Sequence, residues 1–413
     1  MAISPSNAER LHALDAVRGF ALILGVCLHA SLSFLPSFGF PIMDSQRSVT
    51  LSLLFFVLHI FRMTTFFLIA GFFAHMSLQR KGRRGFALDR LKRIGIPLVV
   101  GWPIIFGAIL GVSIWGIRTH GGPLPPKPPY PGFPAFPLTH LWFLYVLLLF
   151  YAGALGILGL ARLTDRSHKL DQAVDRAVRW LVRSPFGLIP LSAPTAAALW
   201  WSPEWLMWFG IPTPAFSLVP DVGAVAAFST AFGFGWLVHS QVALIEVWTR
   251  RCPLNLALAI GLTAACLSII GVDPVVTPAP HGWMTGLYAG CYTLATWTWT
   301  FALIGLALRF LSRSNPARRY VADASYWIYL IHPPIVMALQ VVVSQLDWPW
   351  FVKFPLILAV AFPLMFLSYQ LLVRYSLIGA ILNGRRQPRP NLPAIGKVVT
   401  SHGGNPSLRC PLQ

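Results

Sequence analysis

Charge is what this sequence has least of. Only 11% of its 413 residues are Asp, Glu, Lys or Arg, where a soluble globular chain carries about 25%. Acidic residues are the scarcer sign, 13 against 32 Lys and Arg. This excludes an ordinary soluble domain. The five cysteines, Cys27, Cys252, Cys266, Cys291 and Cys410, are scattered and include no CxxC pair, which excludes a disulfide framework and a thiolate zinc centre. No small-residue cleavage site follows the first apolar segment, so that segment reads as an uncleaved span and not a signal peptide. No internal repeat is visible, which weighs against a transporter built from inverted repeats.

What is there in quantity is apolar: 56% of the residues are hydrophobic and the mean hydropathy is +0.64. A membrane helix needs about 20 mostly apolar residues. Ten stretches qualify, at about 15–35, 51–77, 94–117, 139–160, 185–201, 218–245, 254–273, 283–311, 321–345 and 350–373. The expected fold is therefore all-α, a polytopic transmembrane helix bundle of about ten spans. Orientation follows from Lys and Arg placement. With the N-terminus inside, 27 fall on inside segments and three outside (Arg47, Arg118 and Lys127), while Arg62 and Lys353 lie within spans. Both termini are then cytoplasmic, and the net charge of +19 is a topology signal that calls for no nucleic-acid partner.

The outside loop 118–138 contains GGPLPPKPPYPGFPAFP, a proline density that makes an extended, stiff segment. The inside stretch 161–184 has mixed charge at helical spacing, as in an amphipathic surface helix. Residues 1–383 form one integral-membrane unit, and 384–413 read as a basic, disordered cytoplasmic tail. Trp200, Trp201, Trp205, Trp208 and Trp283 read as interfacial belt residues.

The charges inside the spans carry the functional signal. Arg18 and His29 are eleven residues apart, so they share one face of the first helix, about 16 Å apart along its axis. Arg18 also fits a snorkelling anchor, and His29 a packing residue bonded to a carbonyl. Arg62 stands about eleven residues from either end of LSLLFFVLHIFRMTTFFLIAGFF, with no carboxylate expected at its depth. A central arginine costs about 2.5–3.5 kcal/mol to insert. It either bonds to carbonyls and hydroxyls around a wet cavity or holds an anionic ligand, with His59 at i−3 on the same face. Arg90 and Arg93 are three apart in DRLKRIGIP. They fit either cytoplasmic anchors or a phosphate clamp. THLWFLYVL places His140 and Trp142 at the start of the fourth span. ASYWIYLIHPP places Ser325, Tyr326, Tyr329 and His332 in the ninth, with prolines expected to break the backbone after His332.

The order RLHALDAVRGFALILGVCLH, FRMTTFFLIAGFF, DRLKRIGIP, HLWFLYVLLLF, ASYWIYLIHPP resembles the membrane-bound acyltransferase-3 family, and within it the branch that succinylates periplasmic glucans in bacteria. The family's Arg-x10-His element corresponds to Arg18 and His29, and its Arg-x-x-Arg element to Arg90 and Arg93. Ala70 departs from the serine of many members. The residues after the tenth span are too few for an appended extracytoplasmic hydrolase domain.

The resemblance implies a multi-pass protein of the bacterial inner membrane. It implies transfer of an acyl group, succinyl in that branch, from cytoplasmic acyl-CoA to a glucan hydroxyl outside. Catalysis would fall to His29, as general base, and Arg18. Arg90, Arg93, Arg62 and His59 would bind acyl-CoA, and His140, Trp142, Ser325, Tyr329 and His332 would line the acceptor cavity. No bound cofactor or metal is implied. The bilayer, acyl-CoA and a polysaccharide are the partners, with a homodimer open. An acetyltransferase for lipopolysaccharide or exported polysaccharide shares every motif, and a transporter or flippase would use the same cavity without chemistry.

Overall fold

The computed structural model describes residues 7–120, 133–164, 169–278 and 280–384, and the side chains of 10–120 and most of the later residues. The expected tail beyond 384 and most of the proline-rich loop lie outside the described residues. The architecture is helical throughout, with one isolated bridge, Ala135 to Ser217, as the sole extended pairing among the described residues.

The helices are α1 (Asn7–Ser31), α2 (Val49–Arg90), α3 (Ile96–Thr119), α4 (Trp142–Thr164), α5 (Lys169–Arg183), α6 (Leu188–Trp200), α7 (Val222–Val238), α8 (Glu246–Arg250), α9 (Cys252–Ile270), α10 (Trp283–Phe310), α11 (Pro316–Ser344), α12 (Trp350–Ser368) and α13 (Leu377–Asn383). Among the described residues, eight helical stretches are long and apolar enough to cross a membrane. One of them, Val49–Thr119, runs for 71 residues and contains two of the ten expected spans. The basic stretch between those spans is helical and not a loop. Its change of direction falls on Gly82, whose φ of 66° suits a residue without a Cβ. The expected fifth span is the 13-residue α6, about 20 Å long at 1.5 Å per residue and short of the hydrocarbon thickness. The amphipathic segment forms α5.

Close packing uses small residues, as membrane bundles do. A Cβ on Gly71 of α2 would strike the carbonyl of Phe232 on α7, and a Cβ on Gly235 of α7 would strike the carbonyl of Leu68 on α2. The two backbones therefore meet reciprocally. Large apolar side chains remain exposed on the outer faces of α3, α4 and α9, among them Val99, Ile104, Leu160 and Ile260, where lipid covers them.

Two expectations change here. Trp205 and Trp208 are buried and not interfacial. Trp205 Nε1 donates to Gly210 O at 2.7 Å, since the 201–221 connection folds back over the bundle. The prolines after His332 do not break the backbone, because α11 continues through Pro333 and Pro334 to Ser344. Lys353 of α12, placed within a span by its sequence, finds a counter-ion in Asp44 from the α1–α2 connection. Its Nζ lies 2.9 Å from both carboxylate oxygens, with the two side chains 0% and 1% exposed.

Candidate active site

Helical spacing on α1 sets the first two side chains. Arg18 and His29 share a face, and that face runs past two cavities in turn. The first cavity, of about 590 Å³, is lined by His29, His59, Arg62, His140, Trp142, Tyr329 and His332 together with residues of the 202–221 connection. The second, of about 570 Å³, is lined by Arg18, Arg80, Arg90, Arg93, Ser325 and Tyr326. Leu22, Phe66, Phe143 and Tyr329 line both, so an apolar collar with one phenol separates them. The rings of Phe66 and Phe143 meet edge to face at 4.6 Å, and Phe143 and Tyr329 at 5.9 Å.

In the second cavity Arg18, Arg90 and Arg93 are each held by their own neighbours. Arg18 pairs with Asp15 at 3.1 Å and lies over the Phe73 ring. Arg90 reaches Asp89 at 2.8 Å and Ser77 Oγ at 3.0 Å, between the faces of Phe86 and Tyr151. Arg93 sits in a π-helical turn, Leu91–Gly95. Its Nη2 and Nε donate to Leu382 O at 3.1 and 3.3 Å, at the end of α13, and Tyr326 Oη donates to its carbonyl at 2.7 Å. Guanidinium forks arranged around one hollow suit phosphate oxygens. Arg80 joins them, and α13 braces them. Neither was singled out in the sequence, where Arg80 is one of a run of basic residues and α13, LIGAILN, is a short apolar stretch after the last span.

The first cavity is differently built. Arg62 has no carboxylate within ion-pair distance among the described residues, and its buried Nε has no hydrogen-bond partner. Its guanidinium rests against α1 at Gly25, where any Cβ would meet Nη1. Gly25 is one turn before His29, so the close approach places the cation beside the imidazole. His59, stacked on Phe55 at 5.4 Å, leaves Nδ1 buried and unpartnered.

Three more groups frame His29. Gln340 Nε2 of α11 donates to His29 O at 3.0 Å and Ala30 O at 3.2 Å, anchoring the end of α1. The His332 ring lies 5.0 Å from that of His29, and the His140 ring 5.4 Å from that of His332. Tyr329 Oη donates to His140 O at 2.7 Å, lacing α11 to the start of α4. A buried glutamine within an apolar span was the one readable signal of the Gln340 anchor.

The candidate residues thus separate into two groups. Arg62 and His59, expected with Arg90 and Arg93 to bind acyl-CoA, line the cavity that holds His29. Ser325, expected with the acceptor, lines the cavity of the arginines and donates to Ala322 O at 2.8 Å. His140, Trp142, Tyr329 and His332 gather around His29. Among the described residues no three His, Cys, Asp or Glu are placed to hold a metal ion.

This fold and its paired cavities belong to a membrane enzyme class that the sequence itself defines: the profile described as Acyltransferase domain matches residues 11–370, and the chain belongs to that acyltransferase-3 family. Among curated proteins it is similar to Glucans biosynthesis protein C of Escherichia coli strain SMS-3-5 / SECEC, 32% identical over 103 residues, which are 25% of this chain and 26% of that protein. The counterpart in strain K12 is 31% identical over 103 residues with the same coverage. The aligned stretch spans about a quarter of the length of these relatives. No solved structure matches the chain.

Proposed function

We propose that the protein is a transmembrane O-acyltransferase of the bacterial inner membrane. It moves a succinyl group from acyl-CoA on the cytoplasmic side to a hydroxyl of a periplasmic glucan, with His29 as general base. The observation that carries this reading is the pair of cavities on one face of α1, arginine-lined at one and imidazole-lined at the other, with Leu22, Phe66, Phe143 and Tyr329 lining both. Acyl-CoA has the matching shape. Its phosphates suit Arg18, Arg80, Arg90 and Arg93, and its narrow pantetheine arm suits the collar. The thioester then arrives beside His29, which takes the acceptor's proton as oxygen attacks the carbonyl.

Succinyl is favoured over acetyl by Arg62. An isolated buried cation is strongly unfavourable, and no carboxylate among the described residues pairs with it, although Glu204 and Asp221 line the same cavity farther along. An acyl group with its own terminal carboxylate supplies the missing charge. The names of the similar glucans biosynthesis proteins agree with a glucan as acceptor.

The test uses purified protein in nanodiscs with a neutral glucan and either succinyl-CoA or acetyl-CoA, reading free thiol and acylated product. Succinyl transfer that His29→Ala lowers by about 100-fold or more is expected. Arg62→Ala should weaken succinyl-CoA use and spare acetyl-CoA use. Equal loss with both donors removes the carboxylate role of Arg62. Passage of a substrate without thiol release would make the protein a transporter instead.

A further inference from the structure

Pro333 and Pro334 lie inside α11. Proline has no amide hydrogen, so each leaves the carbonyl four residues earlier without its helical donor. Those carbonyls belong to Tyr329 and Leu330, and two imidazoles take them up. His332 Nδ1 donates to Tyr329 O at 2.8 Å, shared with Ile328 O at 3.2 Å, and His140 Nε2 donates to Leu330 O at 3.1 Å.

A carbonyl oxygen only accepts, so these two ring nitrogens carry the hydrogens, and in the neutral ring the opposite nitrogens are bare lone pairs. Both of those, His332 Nε2 and His140 Nδ1, are buried and have no partner. Buried polar atoms are seldom left so. His332 is 2% exposed yet reaches the wall of the His29 cavity, and His29 has no ring hydrogen bond of its own among the described residues.

We infer that His332 is a positioning residue for the base. Its Nε2 accepts the ring N–H of His29, which turns the other His29 nitrogen toward the acceptor hydroxyl, and the proline pair holds His332 in the tautomer this requires. The two rings lie side by side, centroids 5.0 Å apart and tilted by 59°, with no hydrogen bond between them as the structure stands, and a turn of the His29 ring closes it. The inference rests on the acyl-transfer reading with His29 as base. In that reaction the acceptor oxygen bonds to the thioester carbon as its proton passes to His29. The C–S bond breaks, and the imidazolium returns the proton to the departing thiolate. His29 begins and ends neutral, and His332 keeps its single hydrogen throughout.

The experiment uses the full chain in nanodiscs and steady-state transfer from succinyl-CoA. His332→Phe is expected to lower kcat about 100-fold with the donor KM and the unfolding temperature little changed. His332→Gln, which keeps an acceptor oxygen, should recover about a tenfold share of that loss. The double change Pro333→Ala, Pro334→Ala restores two amide donors. It should lower kcat while leaving the helix as stable or more so, which a purely structural role would not produce. Histidine-selective 15N spectra of the wild type, assigned through His332→Gln, should show His332 protonated at Nδ1.

Wild-type kcat in His332→Phe, a change confined to KM, or a ring protonated at Nε2 each overturns the inference. Failure of the underlying reading looks different. There the wild type transfers nothing, or His29→Ala keeps full activity, while the tautomer still reports on His332.

Discussion

At the scale of single residues, the bundle treats its two intramembrane cations in opposite ways. Lys353 is closed off by Asp44 with both carboxylate oxygens at 2.9 Å. Arg62 is left open toward a cavity. The difference is one of purpose. A fully satisfied buried pair joins α12 to the α1–α2 connection, whereas Arg62, on the proposed reading, is left for the carboxylate of the acyl group. Removing one partner of a buried pair strands the other, at about 3–5 kcal/mol. Lys353→Met should therefore unfold well below the wild type, and the double change with Asp44→Asn should recover most of the loss. A scan of unfolding temperature in detergent checks both. Arg62 was legible in the sequence because an arginine amid phenylalanines needs no fold to look misplaced. Its bed on Gly25 was not, since a glycine in an apolar helix has many ordinary uses.

At the scale of elements, the site depends on how closely helices approach. α2 carries His59 and Arg62, and its position against α7 is set by Gly71 and Gly235 with the carbonyls they touch. Gly235→Val has no room unless the helices part. It should reduce the folded yield sharply, read as the monodisperse fraction on gel filtration, and leave little transfer activity in what remains. Gly71 stood in a motif of the resemblance, but its partner on α7 was invisible, because contact between helices far apart in the chain leaves no periodic mark. The same limit hid the capture of Leu330 O by His140, 190 positions away. The proline pair was readable, though its effect was not. Prolines suggested a broken helix, and the side-chain donors that let α11 continue come partly from another element.

At the scale of the whole molecule, the collar of Leu22, Phe66, Phe143 and Tyr329 keeps two hollows of similar size apart. On the proposed acyl-CoA reading, the collar passes a narrow arm and refuses water. Phe143→Ala should widen the collar and let water reach the thioester. The expected outcome is acyl-CoA hydrolysis in the absence of any acceptor, rising severalfold over the wild type while transfer falls, measured as free thiol against acylated glucan. Unchanged hydrolysis would mean that the collar does not exclude water.

The membrane class, most of the spans, and the shared face of Arg18 and His29 were determined by the sequence alone. These follow from apolar run length and a 3.6-residue period, which are local properties of a helix. Likewise, Arg90 and Arg93 could be paired by spacing. Only the tertiary structure decided that Arg62 lies against Gly25 beside His29, that Asp44 neutralises Lys353, and that two prolines hand their freed carbonyls to two imidazoles. Each of those contacts depends on the relative placement of helices, on which groups then lack a partner, and on the low-dielectric interior that makes a missing partner matter.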